Sequence, residues 1–442
     1  MELFLLGTGS ARGWPEPGCP CASCSTATAL RTARAPSAAL LDDVLLLDGS
    51  DDVERAAARA GRSLAAVRRV LLSGGQERGA PLGELVRSLA AAASIEVLGP
   101  PGALAAYEPL SRADPRVRLV PVRAGDDLAA DDHRLRALAQ GPGIAWSITG
   151  QDGTHLLYAP GEGFPAERSD PAAPQHGYDV VLLGLGSTAP GAAAGRRGGP
   201  YALAQLRSAG AVTPSTQVLA IGYGHDAGMP DSLVAPLRSW GVELPADGTT
   251  LAVRREQAPR PGGPQGRTLV LGGVRSGKSA LAEQLLAASP QVTYVATGGS
   301  REDDGEWQQR VAAHVARRPA WWSTVETTEV AACLLDAAAP LLIDCLGTWL
   351  TARLDHHGVW NGAPTTAVDE DIAQLASAWR AATVPVVAVS NEVGSGVVPA
   401  TPSGRLFRDL LGRLNAAIAA ESETVLLVVA GIAVPLRSLP PT

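Results

Sequence analysis

The sequence predicts an α/β protein of two domains, and three features of the chain lead to this prediction. The first is a polar segment rich in proline and glycine at residues 254–266, which is typical of a linker and separates residues 1–253 from residues 267–442. The second is the alternation of short apolar runs with helical stretches on both sides of this linker. The third is a glycine-rich turn between a predicted strand and a predicted helix, where the second domain begins.

The first domain contains short β-prone runs separated by glycine-rich turns and by alanine-rich helical segments. These runs lie at residues 3–6, 44–47, 70–72, 95–98, 156–158, 180–183 and 218–221. Strands and helices mixed in this way predict an α/β sandwich, in which helices cover the sheets.

The second domain has apolar runs at residues 292–296, 341–344, 384–390 and 424–430, with helical stretches between them. Strands that are apolar throughout and linked by helices are typical of a parallel sheet covered on both faces. Residues 267–442 are therefore predicted to form a parallel α/β sheet.

The glycine-rich turn matches the pattern G-x-x-x-x-G-K-[ST], which binds nucleotide phosphates when it joins a strand to a helix. Lys278 is the only lysine of the chain, in which lysine and arginine together number 37. A compact ammonium fits between phosphates that backbone N–H groups hold, whereas a planar guanidinium is too wide. We therefore predict a P-loop NTPase-like domain with a catalytic Lys278. The predicted phosphate-binding residues are Gly272, Gly273, Val274, Arg275, Ser276, Gly277, Lys278 and Ser279.

A magnesium ion is predicted beside this loop. The Ser279 hydroxyl is placed at the start of the helix, and Asp344 ends an apolar run. Oxygen ligands of these two kinds hold nucleotide-bound Mg²⁺ beside a phosphate loop. The alternative for Asp344 is a turn-forming residue after a strand, and the loop upstream favours magnesium.

Three of the five cysteines, Cys19, Cys21 and Cys24, lie within six residues of one another. This spacing is too tight for a disulfide framework and suits metal ligation by thiolates in a reducing compartment. The alternative is an idle loop with free thiols.

The net charge of −7 provides no basic field that would favour nucleic acid. We also find no apolar span of about 18 residues and no leader, and expect a cytoplasmic protein without an integral membrane segment.

Residues 268–434 resemble the bifunctional adenosylcobinamide kinase and adenosylcobinamide-phosphate guanylyltransferase family of cobalamin biosynthesis. The resemblance lies in several ordered motifs: GGVRSGKS (272–279), YVATG (294–298), a histidine-centred segment (310–319), LIDC (342–345), SNEVGSGVVP (390–399), RLFRD (405–409) and VVAGI (428–432). The segment before the histidine departs from the family at Gly305 and Trp307.

The resemblance implies that the domain phosphorylates adenosylcobinamide with ATP or GTP and then transfers GMP from GTP to the phosphate. His314, four residues after Arg310, occupies the place of the nucleophile that carries GMP. Neutral imidazole is a nucleophile near pH 7, which suits this role. The resemblance also implies nucleotide contacts at Ala296, Thr297, Gly298, Arg318 and Glu326. A homo-oligomer is a further expectation.

The first domain resembles metallo-β-lactamase-fold phosphodiesterases of the type associated with carbon–phosphorus lyase, through LLGTGSA (5–11) and the cysteine cluster. The resemblance implies an αββα sandwich and a structural zinc held by Cys19, Cys21, Cys24 and His225. It also implies a dinuclear site formed by H-x-H-x-D-H, and this chain has no such ligands. The corresponding positions hold Gly74, Gln76, Arg78 and Gly79, and later ligand positions hold Gly141, Pro160 and Gly222. We expect a domain without metal-dependent hydrolysis, which serves as a scaffold.

Two alternatives remain open at this point. One is another P-loop kinase or NTPase without guanylyl transfer, and the other is a metallophosphodiesterase with a nucleotide-binding regulatory domain. Five further histidines have no partner pattern and are predicted to be solvated: His133, His155, His176, His356 and His357.

Overall fold

The computed structural model describes residues 1–50, 52–74, 82–163, 176–186, 198–255, 266–299, 312 and 318–438. The chain divides into two compact units, Met1–Gly262 and Gly263–Thr442. Within the described residues, no helix combines the length and the apolar character that a membrane crossing requires.

The described residues of unit 1 form two sheets. Its described strands are β1 (Glu2–Gly7), β2 (Ala38–Leu41), β3 (Leu45–Leu47), β4 (Arg69–Leu71), β5 (Ile95–Gly99), β6 (Val117–Pro121), β7 (Asp127–Ala130), β8 (His133–Gln140), β9 (Gly143–Gly150), β10 (His155–Ala159), β11 (Val180–Gly184), β12 (Gln217–Ile221) and β13 (Thr250–Ala252). One sheet has the order β13-β1-β2-β3-β4-β5-β6 and the other has the order β12-β11-β10-β9-β8-β7. Its described helices are α1 (Ala22–Leu30), α2 (Val53–Arg59), α3 (Gly83–Ala92), α4 (Pro101–Leu104), α5 (Glu108–Ala113), α6 (Gly199–Ser208) and α7 (Pro230–Trp240).

The two sheets of unit 1 pack face to face. Leu3 and Leu5 of β1 belong to the same buried core as Trp146 of β9 and Leu182 of β11. Because successive side chains of a strand point to opposite faces, Phe4 of β1 lies on the other side, in a core shared with α2 and α3. Helix α6 packs against β11 of the second sheet. The layers therefore run helix, sheet, sheet, helix, which confirms the predicted αββα sandwich.

The described residues of unit 2 form one sheet of seven strands, in the order β16-β15-β17-β18-β14-β19-β20. The strands are β14 (Arg267–Gly272), β15 (Thr293–Ala296), β16 (Ser323–Glu326), β17 (Leu341–Asp344), β18 (Val386–Asn391), β19 (Thr424–Val429) and β20 (Ile432–Arg437). The described helices are α8 (Lys278–Leu286), α9 (Val330–Leu335), α10 (Leu346–His356), α11 (Thr366–Ala381) and α12 (Pro402–Ala420). The first six strands pair in parallel and β20 pairs antiparallel with β19.

Helices cover both faces of this sheet. Leu269 of β14 and Ile343 of β17 share a buried core with Leu350 of α10, Leu375 of α11 and Leu410 of α12. Helix α8 packs against β14, β17 and β18 through buried side chains outside that core. A parallel sheet covered on both faces needs strands that are apolar throughout, which the sequence of these strands provides. The predicted P-loop NTPase-like parallel α/β sheet is confirmed, with one antiparallel edge strand.

The prediction that all five remaining histidines are solvated is wrong for His133. This residue is 6% exposed, and its Nε2 lies 2.8 Å from Oδ2 of Asp42. His155 and His357 are half-buried, the latter 2.8 Å from the Asp371 carboxylate, whereas His176 and His356 are exposed. Asp42 is distant from His133 in the sequence, so no local pattern indicated the pair.

Candidate functional site

The glycine-rich turn lies at the carboxyl end of β14, between the parallel neighbours β18 and β19. It leads directly into α8, which begins at Lys278. Gly277 has a φ of +99°, a left-handed conformation that glycine adopts without steric cost. The N–H of Gly431 donates to the carbonyl of Ser276 at 2.8 Å and ties the loop to the turn after β19. The first N–H groups of a helix have no carbonyl partner within that helix, and this makes the start of α8 suited to binding phosphate.

Gly272 is enclosed more tightly than the rest of the loop. A Cβ at this position would lie 2.5 Å from Oγ of Ser276 and 2.7 Å from the carbonyl oxygen of Val428. Both distances are far below van der Waals contact, and one partner is backbone that cannot move aside. Only glycine therefore allows the loop to leave β14 along this path.

We expect Gly272→Ala to lower the free energy of unfolding by about 1–3 kcal/mol, because it overpacks the base of the loop. Thermal denaturation of the full chain measures this loss. Gly412→Ala is the matched control, because Gly412 lies in α12 with open space around the position of its Cβ. That substitution is expected to be neutral or to stabilise, by up to about 1 kcal/mol. Equal midpoints for the two variants would contradict the packing argument.

Lys278 folds back over the loop. Its Nζ donates a hydrogen bond to the carbonyl of Gly273 at 3.0 Å. Gly273, Val274 and Arg275 are exposed, and Ser279 is half-buried at the next position of α8. The ammonium, the Ser279 hydroxyl and the loop N–H groups therefore lie at the same end of the helix.

The other predicted nucleotide contacts meet at one edge of the sheet. Ala296 pairs in register with Glu326 of β16 and with Asp344 of β17, and Gly272 pairs with Asn391 of β18. These residues end parallel strands, so they share the carboxyl edge, where ligands bind in open α/β sheets. Thr297 and Gly298 follow Ala296 directly.

The Asp344 carboxylate has a defined neighbour that sequence reasoning missed. The hydroxyl of Tyr294 donates to Oδ2 of Asp344 at 2.9 Å. Burial and then the charge of Asp344 raise the pKa of Tyr294 above its ordinary value, so the phenol is protonated and donates. The guanidinium of Arg318 lies 3.6 Å from the centre of the Tyr294 ring, and its Nη1 donates to Oγ1 of Thr324 at 3.1 Å. The Arg318 side chain is thus buried against the ring of Tyr294.

The hydroxyl of Thr297 also makes its hydrogen bonds to other groups of the protein. Its hydroxyl accepts from the N–H of Cys345 at 3.0 Å and also lies 2.7 Å from the carbonyl of Cys345 and from Oγ1 of Thr348. Cys345 and Thr348 form the cap of α10. The Thr297 side chain therefore holds the backbone that follows Asp344, and its own N–H donates to the Asp344 carbonyl at 3.3 Å.

The predicted nucleophile His314 and the neighbouring Arg310 lie outside the described residues, as do Gln76, Arg78 and Gly79 of unit 1. Their roles stay predictions. Gly74, Gly141, Pro160 and Gly222 are described, and none of these residues carries a side chain that binds a metal.

Unit 1 brings the four predicted zinc ligands together. The sulfur atoms of Cys19, Cys21 and Cys24 and a ring nitrogen of His225 all lie within 4.8 Å of one another. Nδ1 of His225 is 3.1 Å from Sγ of Cys19 and 3.8 Å from Sγ of Cys24. In the described part of the chain, this is the only group of three or more histidine, cysteine and acidic side chains so arranged.

Local structure holds these ligands in place. Cys21 is the N-cap of α1, where its sulfur accepts from the N–H of Cys24 at 3.4 Å. Nε2 of His225 lies 3.4 Å from the Glu16 carboxylate and 3.2 Å from that of Asp226, which turns Nδ1 towards the sulfurs. The hydrogen bond from Cys24 lowers the pKa of Cys21 to about 7, whereas burial raises that of Cys24 to about 11. The donor set is that of a closed tetrahedral metal site.

Comparison with known proteins identifies the second unit. The family model described as cobinamide kinase / cobinamide phosphate guanyltransferase, CobU, matches residues 268–436. The bifunctional adenosylcobalamin biosynthesis protein CobU of Salmonella typhimurium is 40% identical over 180 residues, which cover 38% of this chain and 98% of that protein. The chain belongs to the CobU family. CobP of Pseudomonas aeruginosa, also a bifunctional adenosylcobalamin biosynthesis protein, is 41% identical over 39% of this chain and 99% of its own length. The CobU region contains the phosphate loop, Tyr294 and Asp344.

Solved structures also resemble part of the chain. The match with Zn²⁺-bound PqqB from Methylobacterium extorquens covers 57% of this chain and 100% of the PqqB chain, with 18% identity and a TM-score of 0.43. The match with a diphosphatase of the PhnP family covers 57% of this chain and 96% of the diphosphatase chain, with 18% identity and a TM-score of 0.43. The fold of unit 1 is defined by its own two sheets and their helices.

Proposed function

We propose that this protein phosphorylates adenosylcobinamide with a nucleoside triphosphate and then transfers GMP from GTP to the phosphate, giving adenosylcobinamide-GDP and pyrophosphate. The observation that carries this proposal is the 40% identity with a bifunctional adenosylcobalamin biosynthesis protein along 98% of that protein's length. The phosphate loop after β14 and the acid that ends β17 support it, because they supply the parts that nucleotide binding requires.

In this proposal, Lys278 and the N–H groups of the loop hold the nucleotide phosphates, and the edge around Ala296, Gly298 and Glu326 contacts the rest of the nucleotide. Ser279 and Asp344 fit magnesium, since a hydroxyl and a carboxylate are oxygen ligands of the kind that this ion prefers. Bound magnesium would neutralise charge on the phosphates.

Guanylyl transfer would use His314 in two displacements. A nitrogen of the neutral imidazole attacks the α-phosphorus of GTP, and the bond from that phosphorus to the pyrophosphate oxygen breaks. An oxygen of adenosylcobinamide phosphate then attacks the same phosphorus, and the bond to the histidine nitrogen breaks. Each displacement exchanges one bond for another, and the phosphorus–nitrogen bond is labile enough to pass the nucleotide on.

We expect Lys278→Ala to lower the rate of adenosylcobinamide phosphorylation by roughly 10²–10³-fold, because a charge aimed at the transferred phosphate is lost. Lys278→Arg is expected to fail as well, since a guanidinium does not fit the loop although it keeps the charge. Transfer of labelled γ-phosphate measures both variants. Wild-type rates for the arginine variant would contradict the role given to the shape of lysine.

Unit 1 would hold one structural zinc ion through Cys19, Cys21, Cys24 and His225. Three thiolates and one imidazole leave no open position for water, so such a site stabilises the fold and performs no hydrolysis. In this proposal the unit is a scaffold for a cytoplasmic enzyme, and assembly into a homo-oligomer is part of the proposal.

A labelled-GTP assay tests the proposed function. The protein is incubated with GTP labelled at the α-phosphate, and we expect an acid-labile GMP adduct that adenosylcobinamide phosphate discharges as adenosylcobinamide-GDP. Phosphorylation of adenosylcobinamide without any GMP adduct would favour a P-loop kinase that lacks guanylyl transfer. Metal-dependent diesterase activity with two or more zinc ions per chain would favour a metallophosphodiesterase.

A further inference from the structure

Tyr294 lies between two charged side chains of unit 2. It is 4% exposed, its hydroxyl donates to Oδ2 of Asp344 at 2.9 Å, and its ring carries the Arg318 guanidinium at 3.6 Å from the ring centre. Arg318 is itself 8% exposed. A buried arginine over an aromatic face is an attractive contact that also fixes the plane of the ring.

The strand register explains why this hydroxyl reaches Asp344. Strands β15 and β17 are parallel neighbours, and Ala296 pairs with Asp344 while Tyr294 pairs with Leu342. Side chains two residues apart lie on one face of a strand, so Tyr294 and Asp344 share a face at adjoining levels. A carboxylate has two oxygens with about four acceptor positions, so a bond from the phenol to Oδ2 orients the group and leaves capacity for a cation.

We propose that Tyr294 is a positioning residue that holds the Asp344 carboxylate for nucleotide-bound magnesium, and that Arg318 acts through the Tyr294 ring. This inference rests on the magnesium role proposed for Asp344. It revises the role of Arg318, whose guanidinium contacts the ring and Thr324. Arg318 is also four residues after His314 in the chain.

Tyr294→Phe separates this role from packing, because it removes the hydroxyl and keeps the ring beneath Arg318. The affinity of the full chain for a fluorescent GTP analogue is measured in EDTA and again after Mg²⁺ is added in excess of the EDTA, so that the zinc content of unit 1 is the same in both measurements. We expect the variant to equal the wild type in EDTA and to bind roughly ten- to a hundredfold more weakly with Mg²⁺, the effect of one hydrogen bond to a charged group. In the Asp344→Asn background, Tyr294→Phe is expected to add nothing further.

Tyr158→Phe is the matched control. Tyr158 is a buried tyrosine of unit 1 whose hydroxyl donates to Oδ2 of the buried Asp48 at 3.1 Å. Loss of this equivalent bond is expected to leave the affinity for the GTP analogue unchanged under both conditions. A Mg²⁺-specific effect confined to Tyr294→Phe therefore supports positioning of the magnesium carboxylate.

Arg318→Met tests the second part, because methionine keeps an apolar contact with the ring and removes the charge. Weaker binding of the GTP analogue only with Mg²⁺ supports an action through Tyr294. An equal loss in EDTA would show a direct contact of Arg318 with the nucleotide and would overturn this part.

The possible failures are distinguishable. Wild-type affinity that ignores Mg²⁺ would overturn the proposed magnesium role of Asp344, and this inference with it. Wild-type affinity that responds to Mg²⁺ together with an unaffected Tyr294→Phe would overturn the positioning role alone. A Tyr294→Phe protein weakened equally in EDTA and Mg²⁺ would also overturn it, because the hydroxyl would then serve the fold and not the metal.

Discussion

Replacing His314 with alanine is expected to abolish the GMP adduct and to lower the formation of adenosylcobinamide-GDP by roughly 10³-fold or more, the scale on which removal of a nucleophile acts. Phosphorylation of adenosylcobinamide is expected to continue at a rate close to that of the wild type. Labelled GTP, with the label at the α-phosphate for the first activity and at the γ-phosphate for the second, measures both on one preparation.

The physical reason lies in the different demands of the two transfers. Guanylyl transfer through a covalent intermediate needs a nucleophile with an unprotonated lone pair near pH 7, and neutral imidazole meets this condition. Phosphoryl transfer needs positioning and charge around the phosphates, which Lys278 and the loop after β14 provide. Alanine at position 314 removes the nucleophile of guanylyl transfer and leaves the groups that phosphoryl transfer needs.

His356→Ala is the control for this experiment, because His356 is an exposed histidine near the end of α10. Its replacement is expected to change neither activity. A GMP adduct of normal yield on the His314→Ala protein would contradict the assignment of the nucleophile. Loss of both activities together would show that His314 serves the fold of unit 2.

Much of unit 2 could be predicted because its central strands are buried on both faces. The apolar runs predicted at residues 341–344 and 424–430 match β17 (Leu341–Asp344) and β19 (Thr424–Val429) to within one residue. A fully buried strand must be apolar throughout, so its own sequence marks it. The phosphate loop was predictable for a similar reason, since its pattern and its strand and helix are contiguous in the chain.

Strands with one exposed face were missed. In β8 the exposed Arg134 and the half-buried Arg136 alternate with the buried Leu135 and Ala137, so no continuous apolar run is present. The strand is stabilised by antiparallel pairing with β9, whose register joins Leu135 to Ile148. Strand β16 is exposed along its whole length, and among the described strands it lies at the edge of the sheet and pairs with β15. Such strands depend on their partners more than on their own composition.

In the candidate site too, features formed by neighbouring residues could be predicted, whereas contacts between residues far apart in the sequence could not. Tyr294 lies in an apolar run and has the sequence pattern of a core residue, yet its hydroxyl bonds Asp344, fifty residues later in the chain. His133 was wrongly predicted to be solvated for the same reason, because Asp42 is 91 residues away. The three cysteines are local and were visible, whereas His225 could be chosen only by resemblance, because 201 residues separate it from Cys24. Long-range pairs of this kind depend on the fold.

Removal of the metal from unit 1 is expected to produce the largest loss of stability. We expect about one zinc per wild-type chain, and none in a Cys24→Ser protein, because loss of one thiolate opens a closed four-ligand site. Cys24 is buried, its sulfur accepts from the N–H of Glu16 at 3.3 Å, and the cluster joins the loop before α1 to the turn after β12. Binding energy of a structural zinc appears as folding energy, so the free energy of unfolding should fall by several kcal/mol, below the roughly 10 kcal/mol scale of isolated zinc sites. Metal analysis and thermal denaturation of the full chain measure the two effects.

Cys333→Ser is the matched control, because Cys333 is a half-buried thiol in α9 of unit 2, outside the cluster. It is expected to retain the zinc, and chelation is expected to lower the thermal midpoint of this control and of the wild type while leaving Cys24→Ser unchanged. That pattern separates loss of the metal from loss of a buried sulfur, because only proteins that hold zinc can respond to the chelator. A structural role would be contradicted if the wild-type protein contains zinc and its thermal midpoint does not change when the zinc is removed. Two zinc ions per chain, with diesterase activity that chelation abolishes, would place a catalytic centre in unit 1 after all, because a closed four-ligand site accounts for one ion and leaves no position for water.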